Sequence, residues 1–322
     1  MAARDVMLAV AAAALLGAGL LPSSLATTGV LYNAYSCQHM GGKWSGMPGD
    51  TCAVSALVVF RGETVMVTNG ITLVNSGGLI VGGVLFNNGG AIVNNGTVSN
   101  SGIISSVAGT FSNHGTMTNR GTILNSGRFV DDGNVFNSGT VLDDGGIIVA
   151  RHGDLSNEQD GLLAVEANGS ISSSGRIGNA GTVQDDARLV SDGLLLNSGR
   201  MYVTGRLESS GTFSNNGTVE SRGMMVNGRG GTAYNGNAIH DLGILENLGT
   251  FSNFRLVEVG QKGTLECLGN MTNYGIILNG GKVEVLAGGT LSNRGTISSR
   301  LGTIAVLGTL DNQGAIFGGG LG

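Results

Sequence analysis

The sequence predicts an all-β protein, a parallel β-solenoid (β-helix) of hexad repeats, on three observations. Glycine falls on every sixth residue from Gly109 to Gly145, in GTFSNH, GTMTNR, GTILNS, GRFVDD, GNVFNS and GTVLDD. An apolar residue follows each glycine by two places, and the fifth and sixth places of each hexad are rich in Asn, Asp and Ser. The rhythm returns from Gly175 to Gly223, with Ala187 replacing one glycine, and continues with interruptions to Gly314. A unit this short cannot bury a core alone, so its copies must stack.

Strand alternation assigns each place of G-T-Φ-x-N-x a role. If the apolar third place points inward, so does the first, where glycine leaves a corner free of side chain. The second and fourth places face solvent. Asn and Asp just before the next glycine suit a turn, because they tolerate positive φ. A helix is excluded, since it needs apolar spacings of three and four and loses about 1 kcal/mol at each glycine. An antiparallel sandwich usually spaces its strands by roughly 8 to 12 residues. Three hexads per coil suit a narrow triangular core, and two per coil also satisfy the spacing.

Steps of eight residues begin at Gly145, Gly153, Gly161, Gly223, Arg255 and Gly281. Those in LLAVEAN and KVEVLAG carry a second apolar residue and read as longer strands or bulged corners. With three faces per coil they cannot all fall in one column.

Glycine makes up 59 of 322 residues and proline only 2, without a collagen period. A hydrophobic share of 41% in strict register argues against disorder. The net charge is -5, and the 17 Lys and Arg are scattered, so nothing points to nucleic acid.

Val6 to Leu21 is an apolar run preceded by Arg4 and followed by Pro22-Ser23-Ser24-Leu25-Ala26, which fits a cleaved export signal over residues 1–26. An uncleaved anchor or a buried helix is the other reading, and membrane contact is then limited to residues 6–21. Export implies an oxidising destination. Cys37 and Cys52 flank a glycine-rich loop holding Trp44, and a disulfide between them would contribute roughly 3 kcal/mol. Two unpaired thiols are the alternative. Residues 27–69 read as an N-terminal cap and 70–322 as the solenoid. Cys267 stands alone in GTLECL and reads as a buried free thiol.

At the carboxyl end no helix or charged blocking loop follows GAIFGG, so Ile316, Phe317 and Leu321 are the candidate self-assembly end. A homo-oligomer or filament is therefore expected, against a monomer plugged by its own glycine tail.

Catalytic and metal chemistry finds little support, and no cofactor is expected. His39, His114, His152 and His240 have no metal-ligand spacing. Asp131-Asp132, Asp143-Asp144 and Asp185-Asp186 are the better acidic candidates, since polysaccharide-cleaving solenoids use paired carboxylates as acid and base or to hold calcium. Asp131 and Asp143 lie two hexads apart, however, where three are needed to stack them. Glu266 and Glu284 read as a surface column. Outward threonines raise ice binding, but on a three-hexad coil Thr110 meets Arg128, Thr116 meets Asn134 and only Thr122 meets Thr140. Asn95, Asn168, Asn216 and Asn270 fit N-x-[ST], a by-product of corner Asn before Gly in most cases.

Runs such as GTFSNHGTMTNRGTILNSG and GTLDNQGAI resemble the glycine- and asparagine-rich repeats of filamentous-haemagglutinin-like adhesins and other large surface solenoids. The likeness covers most of residues 70 to 314. It implies a parallel β-solenoid at a cell surface, although such adhesins are far longer. The expected function is thus non-enzymatic: a secreted or surface subunit or spacer of a fibre, coat or outer particle layer, a virus particle included. An adhesin binding glycan or protein through a solenoid flank is the runner-up. A polysaccharide-active enzyme and an ice-binding protein rank below both.

Overall fold

The computed structural model describes residues 28–46 and 49–318. The apolar run 6–21, its cleavage site and Leu321 lie outside the described residues. Among the described residues no helix is long and apolar enough to cross a membrane. The protein is an all-β parallel β-solenoid of about 14 turns with almost no helix.

Each hexad contributes one strand of four residues, such as Thr110–Asn113, Thr116–Asn119 and Thr122–Asn125. Thr110 lies opposite Arg128, Thr116 opposite Asn134 and Thr122 opposite Thr140. Each strand thus pairs with the strand three ahead, so a coil has three faces and the two-face alternative falls away. Burial alternates along each strand as the sequence pattern requires. Phe111, Met117 and Ile123 point inward at 3% exposure or less, while their neighbours on both second and fourth places are mostly half-exposed.

The chain divides into two compact units, Met1–Ser156 with Gly161–Ile171, and Asn157–Asp160 with Ser172–Gly322. The first opens with strand Thr28–Leu31 and the short helix Ala34–His39, capped by the Asn33 side chain accepting from the Ser36 amide. Cys37 in that helix is disulfide-bonded to Cys52. Strand Lys43–Ser45 pairs antiparallel with Thr51–Ala53, whereas Thr28–Leu31 already pairs in parallel with Thr64–Val67. The coils therefore begin within residues 28–68, and the helix and hairpin are appended to them. Phe111 and Phe129 stack inside this unit with ring centroids 5.2 Å apart.

In the second unit one inward column runs Leu195, Phe213, Ala233, Phe251 and Met271. Two phenylalanines on alternate coils fit a narrow core because Ala233 lies between them. The small side chain leaves an apolar void of about 10 Å³ beside Leu207, Met225 and Leu245.

Close approach explains the glycines better than turning does. A Cβ built on Gly217 would lie 2.0 Å from the carbonyl oxygen of Gly199, and one on Gly127 would lie 2.2 Å from that of Gly109. Neither position has positive φ. Each corner rests on the backbone of the coil below, so a side chain there displaces a whole coil.

The fifth place is not used for positive φ either: Ala108 is the one non-glycine with positive φ among the described residues. The Asn at this place points inward and is buried. In the second unit Asn157, Asn179, Asn197, Asn215, Asn235, Asn253, Asn273, Asn293 and Asn312 form one ladder. Each side-chain amide donates to the Oδ1 of the next at 2.7–2.8 Å. The same amide also donates to a main-chain carbonyl one coil on, as Asn179 does to Arg200 at 2.9 Å. The turn role that the sequence suggests for these asparagines does not account for this depth. Within this ladder the oxygen and nitrogen of each interior amide are both bonded, which offsets the cost of burying it.

The eight-residue steps are bulged corners, and their strands stay four residues long, as at Leu162–Val165 and Lys282–Val285. The two extra residues form a turn closed by an i to i+3 bond, from Gly153 to Ala150, Gly169 to Glu166, Gly263 to Gly260 and Gly289 to Leu286. They fall on different corners, as three faces per coil demand.

Gly217→Ala is expected to lower stability by about 2 kcal/mol or more. Gly230→Asn, at φ +80° with open space around it, is expected to cost less, about 1 kcal/mol, because Asn tolerates the left-handed region better than most residues. Urea titration followed by circular dichroism compares the two; equal losses would contradict the close-approach account.

Candidate functional site

The three acidic pairs come apart in the structure. Asp131, Asp143 and Asp185 are buried in the fifth place, while Asp132, Asp144 and Asp186 remain part-exposed at the corners. Asp131 and Asp143 lie on different corners, as the two-hexad spacing requires: Asp131 accepts from Asn113 at 2.8 Å and Asp143 from Asn125 at 2.7 Å. No two of these carboxylates share a cleft. A fourth buried aspartate, Asp241, has no acidic neighbour in sequence and so gave no signal. Burial pushes Asp131 and Asp143 up to about 6, and Asp185 and Asp241 up to about 7. They replace Asn in the ladders; they are not a surface acid and base.

Glu266 and Glu284 do stand side by side, and Glu246 joins them from the preceding coil. Three outward carboxylates thus repeat at the strand spacing, about 4.8 Å. Burial first, then Glu246 and Glu284, hold the Glu266 carboxyl above its ordinary range, against the opposing pull of Lys282. Lys282 itself bonds Glu284 at 2.7 Å. On another face of the same unit Glu220, His240 and Glu258 stack in turn, with His240 Nδ1 2.7 Å from Glu258. Among the described residues no group of three or more His, Cys, Asp or Glu is placed to hold a metal ion.

The broken threonine column holds as expected at Thr110 to Thr140. A different face of the second unit carries the hydroxyls. Its second places read Thr212, Thr232, Thr250, Asn270, Thr290 and Thr309, and its fourth places Ser214, Tyr234, Ser252, Thr272, Ser292 and Asp311. The sequence signal was the recurrence of T-F-S-N at 212 and 250, with T-L-S-N at 290. Hexad counting missed it because seven- and eight-residue steps intervene. Beside this face Phe254 stacks on Tyr274 at 5.3 Å with rings 4° from parallel, and Arg294 lies over Tyr274 at 5.7 Å. The stack runs along the coils, so it presents ring edges outward.

The remaining candidates are dispersed. Cys37 and Cys52 are bonded in the disulfide. Cys267 is a buried free thiol that takes an Asn place in a ladder and donates to the carbonyls of Gly269 and Thr290, both at 3.3 Å. Burial pushes this thiol up. His152 lies 3.5 Å from Asp132 at the surface, and His39 stacks on Tyr35. Asn95, Asn168, Asn216 and Asn270 are all exposed. Ile316 is half-buried and Phe317 is 54% exposed. Corner grooves of about 380 and 500 Å³ are lined by Thr182, Ser198, Arg200 and Thr218 in one case and by Arg222, Leu242, Gln261 and Lys262 in the other. Neither contains a carboxylate.

No family model and no curated protein matches the chain. A solved crystal structure, that of a TibC-catalyzed hyper-glycosylated TibA fragment spanning residues 55–350, is similar at 19% identity over 83% of this chain and 97% of that one, with a TM-score of 0.27.

Glu266→Gln is expected to raise the melting temperature at pH 8 and low salt, because it relieves repulsion in the Glu246–Glu266–Glu284 column. The gain should shrink as salt screens the column and as acid protonates the parent carboxyl. A gain independent of both salt and pH would show that the column is not repulsive.

Proposed function

We propose that the chain is a non-enzymatic structural element of an extracellular surface, a subunit or spacer of a fibre, coat or outer particle layer. One observation carries this reading. The repeat spends many of its polar side chains on internal ladders and leaves the outside as repeating columns interrupted by open corner grooves. Such a body is suited to spanning distance and presenting flat faces.

Assembly would proceed by continuing the parallel sheets. Strands Thr303–Val306, Thr309–Asn312 and Ala315–Phe317 each pair with one preceding strand among the described residues. No strand among the described residues pairs with their other edge, beside which Ile316 and Phe317 lie. An exposed edge of this kind is a template for another strand. The second reading, an adhesin flank, is favoured by the hydroxyl face from Thr212 to Asp311. Its neutral donors and acceptors, with Tyr234 among them, suit a glycan.

In analytical ultracentrifugation and negative-stain microscopy the mature chain is expected to form rods that lengthen with concentration. The variant Ile316→Lys/Phe317→Lys should stay short, because charge on an edge blocks strand addition. A concentration-independent monomer would overturn the assembly reading; short rods that bind immobilised glycans and lose binding on Tyr234→Ala would shift the conclusion to the adhesin.

A further inference from the structure

The buried aspartates share a setting that the asparagines around them do not need. Asp131 lies opposite Val149, Asp143 opposite Val165, Asp185 opposite Val203 and Asp241 opposite Val259 in the next coil. A valine offers no acceptor or donor, so the side-chain ladder stops at each aspartate. Three of the four also sit beneath a bulged corner, whose first amide donates to the main-chain carbonyl of the aspartate itself: Ala150 to Asp131, Glu166 to Asp143 and Gly260 to Asp241.

Oδ1 of each aspartate does what an asparagine Oδ1 does. It accepts from the amide two residues on, from Gly133, Gly145, Ala187 and Gly243 at 3.1–3.4 Å. Oδ2 then occupies the place of the asparagine Nδ2. In the ladders that nitrogen donates to the main-chain carbonyl at the start of the next face one coil on, as Asn113 does to Asn134, Asn179 to Arg200 and Asn247 to Asn270. By the same register the carbonyls awaiting Asp131, Asp185 and Asp241 are those of Asp154, Arg206 and Thr264. Two facing oxygens cannot bond without a proton between them. Among the described residues the Oδ2 atoms of Asp131, Asp185 and Asp241 are buried and have no hydrogen-bond partner, although the Leu189 amide also lies by the Asp185 carboxyl and favours its charged form, whereas Oδ2 of Asp143 accepts from the Ser170 amide at 3.2 Å.

We propose that Asp131, Asp185 and Asp241 are carried in the folded chain as neutral carboxylic acids, each donating its Oδ2 proton to the main-chain carbonyl of the next coil, so that the solenoid is tightened by acid and loosened by base. The charged surroundings favour the same state. Asp131 has Asp132 and Asp154 about it, and Asp132 is itself beside His152. Asp185 has Asp186, which bonds the Thr204 hydroxyl. Around Asp241, His240 and Glu258 face outward and bond one another, and Arg222 and Lys262 line the neighbouring corner groove. No cation is paired with any of the three among the described residues.

The direction of the pH dependence follows. Folded values of about 6 to 7 lie above the ordinary 3.8, so the stabilisation is complete below about pH 4 and is lost as pH rises through 6 to 7. This is opposite to a salt-bridged aspartate. The experiment is thermal and urea unfolding of the mature chain from pH 4.5 to 8.5, for the parent and for Asp131→Asn, Asp185→Asn, Asp241→Asn and their triple combination. Asn supplies the missing donor without a titrating proton.

Between pH 5 and pH 8 the parent is expected to lose roughly tenfold in folding equilibrium constant through Asp131 and close to a hundredfold through each of Asp185 and Asp241. The triple variant should keep only the roughly tenfold slope that Asp143 contributes and be more stable than the parent at pH 8, while Asp192→Asn, at an exposed corner, should follow the parent. Infrared spectroscopy of the parent at pH 5 should show the carbonyl band of buried neutral carboxyls, fading by pH 8 and reduced in the triple variant to the share that Asp143 supplies. A parent equally or more stable at pH 8, a triple variant that keeps the parent's slope, or no neutral carboxyl band at pH 5 would each overturn the proposal.

Discussion

The constraint on which the molecule depends is the close stacking of one coil on the next at the corners. Coils are separated by a single strand spacing, about 4.8 Å, and at the first place of the hexad the backbone of one coil lies where a Cβ of the next would be. Glycine is required there for room. Because the corner brings main-chain carbonyls inside, something must donate to them from within. A carboxamide does so while also donating to its copy one coil on, which is why the fifth place is Asn so often. A net gain of about 1 kcal/mol per bond is modest. The larger effect is avoided cost, since each unsatisfied buried group would lose about 1–3 kcal/mol.

The sequence revealed much of this because the hexad couples position to environment so tightly. Inward Phe111 and Met117, the opposition of Thr110 to Arg128 and the bonded Cys37 and Cys52 could all be anticipated from spacing. What escaped notice depended on adding coils across uneven steps. Glu246 above Glu266, and Thr232 between Thr212 and Thr250, become neighbours only after seven- and eight-residue corners are assigned to a coil. The depth of the fifth place was concealed for another reason: Asn and Asp are ordinary turn residues, and turn chemistry explained them without any need for burial. Asp241 had no paired acid to draw attention to it.

The faces outside the core differ from one another more than the repeat implies. In the second unit one face is hydroxyl-rich from Thr212 to Thr309, another bears Glu246, Glu266 and Glu284, and a third stacks His240 between Glu220 and Glu258. Selection on such a body can act one column at a time, since an outward substitution leaves the inward alternation untouched. Functional variation therefore belongs to second and fourth places, and the first, third and fifth are committed to the stack.

The asparagine ladder has a further consequence. From Asn157 to Asn312 every amide donates in the same sense, with its nitrogen toward the later coil and its oxygen toward the earlier. The side-chain dipoles therefore add along the axis, and the solenoid is a vector whose two directions are chemically unlike. Any copy that prolongs this ladder must present oxygens to nitrogens, which makes the contact heterologous and excludes a two-fold junction. A polymer built this way would grow with one orientation throughout.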